Sequence, residues 1–250
     1  MTAEKVALVT GASSGIGSAT VRALVGDGYQ VIATARRRER LEELAQELNG
    51  VETFPADLTS QIDIEKLAEY VSSKSVELLV NCAGGAFDSA SILESDPEIW
   101  KKTYEVNVIG TLSITKAILP SMIKNGKGHV VVVTSTAGHR AYENGGSYVA
   151  AKFAERSLAH TLRLELNGLP IRITEIAPGM VKTDEFALNR FEGDAVKAAK
   201  VYEGVEEPLT AEDVAESIRW SVSLPRHFNV DSMVIRPIAQ AANHKVHRKL

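Results

Sequence analysis

Val6-Ala7-Leu8-Val9-Thr10-Gly11-Ala12-Ser13-Ser14-Gly15-Ile16-Gly17 runs from a short apolar segment straight into three closely spaced glycines, and helical periodicity follows. An apolar run without alternation belongs to a strand covered on both faces. Glycines placed after it permit a tight turn, let backbone N–H groups approach an anion, and let the next helix pack closely on the strand. The pattern repeats. Candidate strands at 6–10, 31–34, 76–81, 129–135, 171–176 and 230–235 alternate with candidate helices at 15–26, 38–48, 62–73, 97–124, 147–166 and 211–224. Strand and helix in alternation, joined by right-handed crossovers, predict an α/β fold: a doubly wound parallel sheet of Rossmann type with helices on both faces.

The chain's 250 residues fit one large domain, and 44% apolar with 24% charged residues is ordinary for a globular protein. That composition excludes disordered, collagenous and disulfide-scaffold classes. No linker or internal repeat divides residues 1–250, so a single domain is expected. Within it, residues 180–209 insert charged and aromatic side chains where a short crossover would suffice, as a lid over a site would. A net charge of −4 gives no basic surface, so nucleic acid is not expected as a partner. Cys82 is the only cysteine and cannot form an internal disulfide, which fits a reducing compartment. The first residues are too short an apolar run for a signal peptide, and no stretch approaches about 20 uncharged apolar residues. A cytoplasmic protein without a membrane partner is expected.

Gly11, Gly15 and Gly17, opening a helix after the first strand, point to a dinucleotide whose pyrophosphate meets the helix N-terminus. The same residues read Gly11-x-Ser13-x-Gly15, a nucleophile elbow, so a hydrolase using Ser13 is a rival. That rival leaves Gly17 without a role and nominates no histidine partner. In a dinucleotide site an acidic residue about 20 positions on would bind the adenosine ribose. Here the second strand ends Ala33-Thr34-Ala35-Arg36-Arg37, without a carboxylate. Guanidiniums able to grip a 2′-phosphate, with hydroxyls from Ser13 and Ser14, favour NADP over NAD. Arg38 and Arg40 fit the solvated start of a helix.

Tyr148 and Lys152 lie four residues apart, one turn along a helix face. A neighbouring cation stabilises phenolate, which makes a phenol usable as the acid or base that hydride transfer to a carbonyl requires. Tyr70 and Lys74 have the same spacing. They fall late in a helix that runs antiparallel to the strands, away from the ligand crevice, whereas Tyr148 falls at a helix start. Ser135, at the end of the preceding strand, offers a hydroxyl to a substrate oxygen.

Thr10-Gly11-x-x-x-Gly15-Ile16-Gly17, Asn81-Cys82-Ala83-Gly84, Asn107, Ser135, Tyr148-x-x-x-Lys152 and Pro178-Gly179 occur in the order found in the short-chain dehydrogenase/reductase family, which the chain resembles over essentially its whole length. The resemblance implies a tetrad of Asn107, Ser135, Tyr148 and Lys152, with Asn107 holding a water that links Lys152 to solvent. It implies cofactor contacts from Ile16, from Asp57 and Leu58 at the adenine, from Asn81, Ala83 and Gly84 beneath the ribose, from Tyr148 and Lys152, the latter at the nicotinamide ribose, from Pro178 and Gly179, and from Thr183 at the carboxamide. It also implies a homotetramer built on the helices at 97–124 and 147–166. Cys82 stands where the family commonly has Asn. Later segments, including Val201-Tyr202-Glu203-Gly204 and Arg236-Pro237-Ile238-Ala239-Gln240-Ala241, are similar to the NADP-dependent 3-hydroxy acid dehydrogenases, which act on serine and allo-threonine. Such a substrate carboxylate wants a cation near the lid, and Arg190, with Lys182 behind it, is nominated; pairing of Arg190 with Glu192 is the competing reading. Reduction of other ketones or 3-oxoacyl substrates, and a cofactor-binding regulator without catalysis, remain alternatives.

His244 and His247 lack a third ligand for a metal and read as a solvated tail; no metal is expected. Cys82 reads as a small buried hydrophobe, Trp100 and Trp220 as packing residues, and Met122, Met180 and Met233 as core or lid filler.

Overall fold

The computed structural model describes Lys5–Lys249; the N-terminal leader expectation falls partly on residues 1–4, outside the described residues. Seven parallel strands form one sheet in the order β3-β2-β1-β4-β5-β6-β7. They are β1 (Lys5–Thr10), β2 (Tyr29–Ala35), β3 (Val51–Pro55), β4 (Leu78–Asn81), β5 (Gly128–Val133), β6 (Ile171–Pro178) and β7 (Ser232–Ile235). Successive side chains of the central strands enter opposite cores. On one face Leu8, Ile32, Leu79, Val130 and Ile173 meet Ile114, Ile118 and Met122. On the other, Ala7, Val9, Val31, Val80 and Ile176 meet Val21, Leu24, Val214 and Ile218. This two-sided burial is why β1, β2, β4 and β5 carry no polar alternation, whereas β6 and the edge strands β3 and β7 include polar or exposed positions. Each such aliphatic side chain contributes about 1.5–3 kcal/mol on burial.

The connecting helices are α1 (Gly15–Gly26), α2 (Arg38–Glu47), α3 (Gln61–Val71), α4 (Pro97–Tyr104), α5 (Gly110–Lys124), α6 (Gly146–Glu165), α7 (Phe186–Arg190), α8 (Ala195–Lys200) and α9 (Ala211–Ser223). Four departures from the sequence reading have physical causes. Strand β3 was not expected, because Glu52 interrupts its apolar pattern and Pro55 ends it; as an edge strand it tolerates both. The single helix expected over 97–124 is divided by a π-turn at Glu105–Ile109 that carries Asn107. The stretch has the length and composition of a membrane span, yet Ile114, Ile118 and Met122 are buried against the sheet. The segment 180–209 contains two short helices, and its ends are joined: Lys182 N–H donates to the Leu209 carbonyl at 2.7 Å and Leu209 N–H to that of Met180 at 3.1 Å.

The fourth departure is the expected solvated tail. Residues 240–246 form a small antiparallel ladder of β8 (Gln240–Ala242) and β9 (Lys245–Val246). Beyond it Lys249 N–H donates to the Gly204 carbonyl at 2.7 Å and Arg248 to that of Val201 at 3.0 Å. The segment braces the insertion instead of trailing in solvent.

Candidate active site

A cleft of about 790 Å³ opens where the strand order reverses, between the carboxyl ends of β1 and β4. The Thr10 hydroxyl accepts from the N–H groups of Cys82 and Ala83, each at 3.1 Å, and ties the two strand ends together. Gly11 has φ +65°, and a Cβ there would lie 2.9 Å from the Ala83 backbone; one on Gly17 would lie 2.3 Å from the Gly11 carbonyl oxygen. The loop is therefore closed to any side chain at these positions. Gly11, Ser13, Ser14, Gly15, Ile16, Gly17, Arg36, Arg37, Asp57, Leu58, Ala83, Gly84 and Thr183 all border the cleft.

Three expected cofactor contacts do not border the larger cleft itself. Asn81 is buried with its amide donating to the Thr115 hydroxyl at 3.2 Å, so its side chain faces the interior beside α5. Pro178 and Gly179 line the adjoining smaller cavity. Lys182, nominated for substrate, is exposed at the cleft and borders no part of that smaller cavity. Asp57 uses its carboxylate on the N–H and hydroxyl of Thr59, at 2.9 and 2.8 Å.

Arg37 donates to both Glu185 carboxylate oxygens, at 2.6 and 2.8 Å, and to the Ser13 and Ser14 hydroxyls. Its hydrogen bond lowers the Glu185 pKa below the ordinary carboxylate value, against the opposing effect of burial. Arg36 is exposed and makes no ion pair among the described residues. Donors from two guanidiniums, two hydroxyls and a glycine-lined floor fit a dinucleotide bearing an additional phosphate. Ser13 has Arg37 as its partner, not a histidine, which removes the support for a nucleophile elbow.

The smaller cavity, about 220 Å³, shares Ile16, Cys82, Gly84, Gly85, Thr183 and Phe186 with the cleft and continues from it. Ser135, Tyr148, Lys152 and Arg190 line it. Tyr148 enters on the first turn of α6, and its ring packs edge-on against Phe186 with centroids 5.5 Å apart. Ser135 Oγ accepts from Ala137 N–H at 3.1 Å and donates to the Pro178 carbonyl at 3.4 Å, which fixes it at the strand end.

Lys152 Nζ lies 5.7 Å from the Tyr148 ring centroid and donates to the Val133 carbonyl at 3.1 Å and to Glu155 Oε2 at 2.5 Å. Burial is the largest single influence and opposes its charge, but Glu155 together with the Tyr148 and Cys82 groups holds the ammonium above its ordinary pKa. Asn107 spends its amide on carbonyls of Gly85 and Thr103, at 2.9 and 2.8 Å, and its oxygen accepts from Gly85 N–H at 3.1 Å. That leaves a water only the remaining lone pairs of its amide oxygen and its main-chain carbonyl. Burial pushes the Cys82 thiol up to about 12, so it remains neutral.

The Tyr70–Lys74 pair is a surface lock. Tyr70 and Lys74 both donate to Glu52, and the bond to Glu52 raises the phenol's pKa. Arg190 is not paired with Glu192: it donates to the Asn144 carbonyl at 3.1 Å and lies 5.4 Å from the Tyr142 ring centroid. Its buried Nε has no hydrogen-bond partner among the described residues.

The sequence reading did not single out Tyr142, Gln240 and Asn243, which also line the smaller cavity, nor Glu155 behind Lys152. Tyr142 and Asn243 carried no local signal, since long-range packing brings them in. Glu155 had one: positions 148, 152 and 155 follow helical spacing along one face.

The sequence model of the short chain dehydrogenase family matches residues 5–191. An uncharacterized oxidoreductase of Mycobacterium tuberculosis is 47% identical over 241 residues, spanning 96% of this chain and 94% of the relative. The NADP-dependent 3-hydroxy acid dehydrogenase YdfG of Salmonella typhi is 37% identical over 247 residues, spanning 97% and 99%. Among solved structures, the closed form of a serine dehydrogenase complexed with NADP+ superposes with a TM-score of 0.92 at 36% identity, covering 98% of this chain and all of that one. With its parallel sheet, its glycine loop at the strand-order reversal and these relatives, the chain belongs to the short-chain dehydrogenase family of oxidoreductases.

Proposed function

We propose that the chain is an NADP-dependent oxidoreductase of small 3-hydroxy acids, of the serine or allo-threonine kind, and the corresponding 3-oxo acids. The observation that carries the acid specificity is Arg190: a guanidinium with an unpartnered buried Nε, held against Tyr142, in the cavity that Ser135 and Tyr148 share. A buried donor without a partner is costly, and a substrate carboxylate would satisfy it by a charge-assisted pair. The relatives named for 3-hydroxy acids and serine support the same class.

NADP, when bound, supplies or accepts the hydride. Arg36, Arg37, Ser13 and Ser14 would hold its 2′-phosphate, and the Gly11–Gly17 loop its pyrophosphate. Ser135 orients the substrate oxygen, and Tyr148 gives that oxygen its proton in reduction or takes it in oxidation. Lys152 keeps a positive charge beside the phenol, and Asn107 fixes the Gly84–Gly85 loop against both. The segment 180–209, closed at its base and carrying Arg190, acts as the lid.

Replacing Arg190 with Leu is expected to raise KM for hydroxy acids about 10- to 100-fold, the worth of one charge-assisted contact, with little change for a neutral secondary alcohol. Reduced-nicotinamide absorbance with L-serine, allo-threonine, 3-hydroxybutyrate and a simple alcohol reads this out. An equal loss on acids and alcohols would remove Arg190 from substrate recognition, and NADPH binding without oxidation of any of them would favour a regulator.

We further propose a cytoplasmic homotetramer that pairs the outer faces of α4 to α6, where Tyr104, Ile109, Leu112 and Phe153 are exposed. Light scattering would give four times the 27.0 kDa chain mass; a monomer mass would refute the assembly.

A further inference from the structure

Glu155 is wholly inaccessible to solvent and has its carboxylate between Lys152 Nζ, at 2.5 Å, and the Thr111 hydroxyl of α5, which donates at 3.2 Å. Burying two opposite charges is weak support for stability, because apolar residues of similar volume commonly serve as well. This pair, however, adjoins the phenol of Tyr148 on the same helix face. We propose that Glu155 is a positioning residue for the Tyr148–Lys152 pair: its carboxylate holds the ammonium and sets the pH at which the pair releases a proton. The proposal rests on the reading of Tyr148 as the acid–base group.

Charge counting gives the sign. With Glu155 ionised, the phenol, ammonium and carboxylate together are neutral, and losing one proton leaves a net negative charge in a buried site. Without the carboxylate, the same loss takes the site from one positive charge to none. Low surrounding polarity favours the second, so Glu155 delays proton release to higher pH and keeps the phenol protonated as a donor for carbonyl reduction.

The neighbours do not cancel this effect. From α6, Lys152 and Tyr148 face the carboxylate. From the end of β4 comes the neutral Cys82 thiol. From β6, Glu175 acts over a longer range, and its own partners are His139 at 3.0 Å, His160 at 3.1 Å and Arg156 at 3.8 Å. From α5 the contact is a hydroxyl. Burial, the largest influence on Glu155, raises its pKa, while Lys152 opposes that rise and retains the shared proton on the more basic nitrogen.

The test uses Glu155→Gln, Glu155→Met and Glu155→Asp in the full chain. One readout is the pH profile of alcohol oxidation. The second needs no turnover: tyrosinate absorbance is titrated, and the spectrum of the matching Tyr148→Phe protein is subtracted to remove the other five of six tyrosines. Gln and Met should each move the midpoint down by about one pH unit, and Asp should restore it. Gln and Met both remove the charge at similar volume, so either folded variant suffices. An unmoved or raised midpoint alongside Tyr148-dependent turnover overturns the role of Glu155 and leaves Tyr148 standing. Undiminished turnover in Tyr148→Phe overturns both. Failure of Gln and Met alike to fold would assign the carboxylate to the fold and reject the proposal.

Discussion

Tyr148→Phe is expected to lower turnover about 100- to 10,000-fold, the range attributed to a positioned general acid or base, while NADPH still binds. Phe retains the ring that packs against Phe186 and removes only the hydroxyl, so the fold and the cavity wall persist. The proton that must reach or leave the substrate oxygen then has no donor at that point, and Ser135 cannot replace it because an aliphatic hydroxyl is a far weaker acid than a phenol beside the Lys152 ammonium. Steady-state rates of acid oxidation, with a fluorescence titration of NADPH as a check on binding, decide the matter. Turnover near the parent level would remove Tyr148 from the proton step.

Ala35→Asp is expected to reverse the cofactor preference, weakening NADPH and improving NADH, each by about tenfold or more. Ala35 is the last residue of β2 and borders the cleft beside Arg36 and Arg37. A carboxylate there would face the 2′-phosphate as a like charge and would accept hydrogen bonds from an unphosphorylated ribose. The comparison of kcat/KM for the two cofactors measures the change. A retained NADPH preference would mean that Arg36 and Arg37 do not govern the choice.

Much of the fold was legible because two-sided burial writes itself as apolar runs, unbroken in β1, β2, β4 and β5 and interrupted in β6 and β7, and six of the seven sheet strands were marked in this way. The exception, β3, lies at the sheet edge, where partial exposure admits Glu52 and Pro55 and erases the pattern. Helix polarity separated Tyr148 from Tyr70 although the spacing is identical, and the two phenols differ in surroundings accordingly. Other features depended on tertiary contacts. A glutamate on a helix is ordinarily solvated, and only tertiary packing, with Thr111 of α5 against the carboxylate, buries Glu155. The family resemblance implies Asn81 beneath the ribose, but strand alternation turns its side chain inward. The charged residues 244–249 look like a tail until the carbonyls of Val201 and Gly204 supply them with partners.

The π-turn that carries Asn107 has its own consequence. One residue more than the helical ladder needs is wound into the stretch between Pro97 and Lys124, which advances everything beyond it by about 100° of rotation. The faces of α4 and α5 are in phase with their neighbours only with that residue present. Chain length here is thus a functional quantity: a single-residue deletion would straighten the ladder, swing Asn107 off Gly85 and rotate Thr111 away from the buried carboxylate.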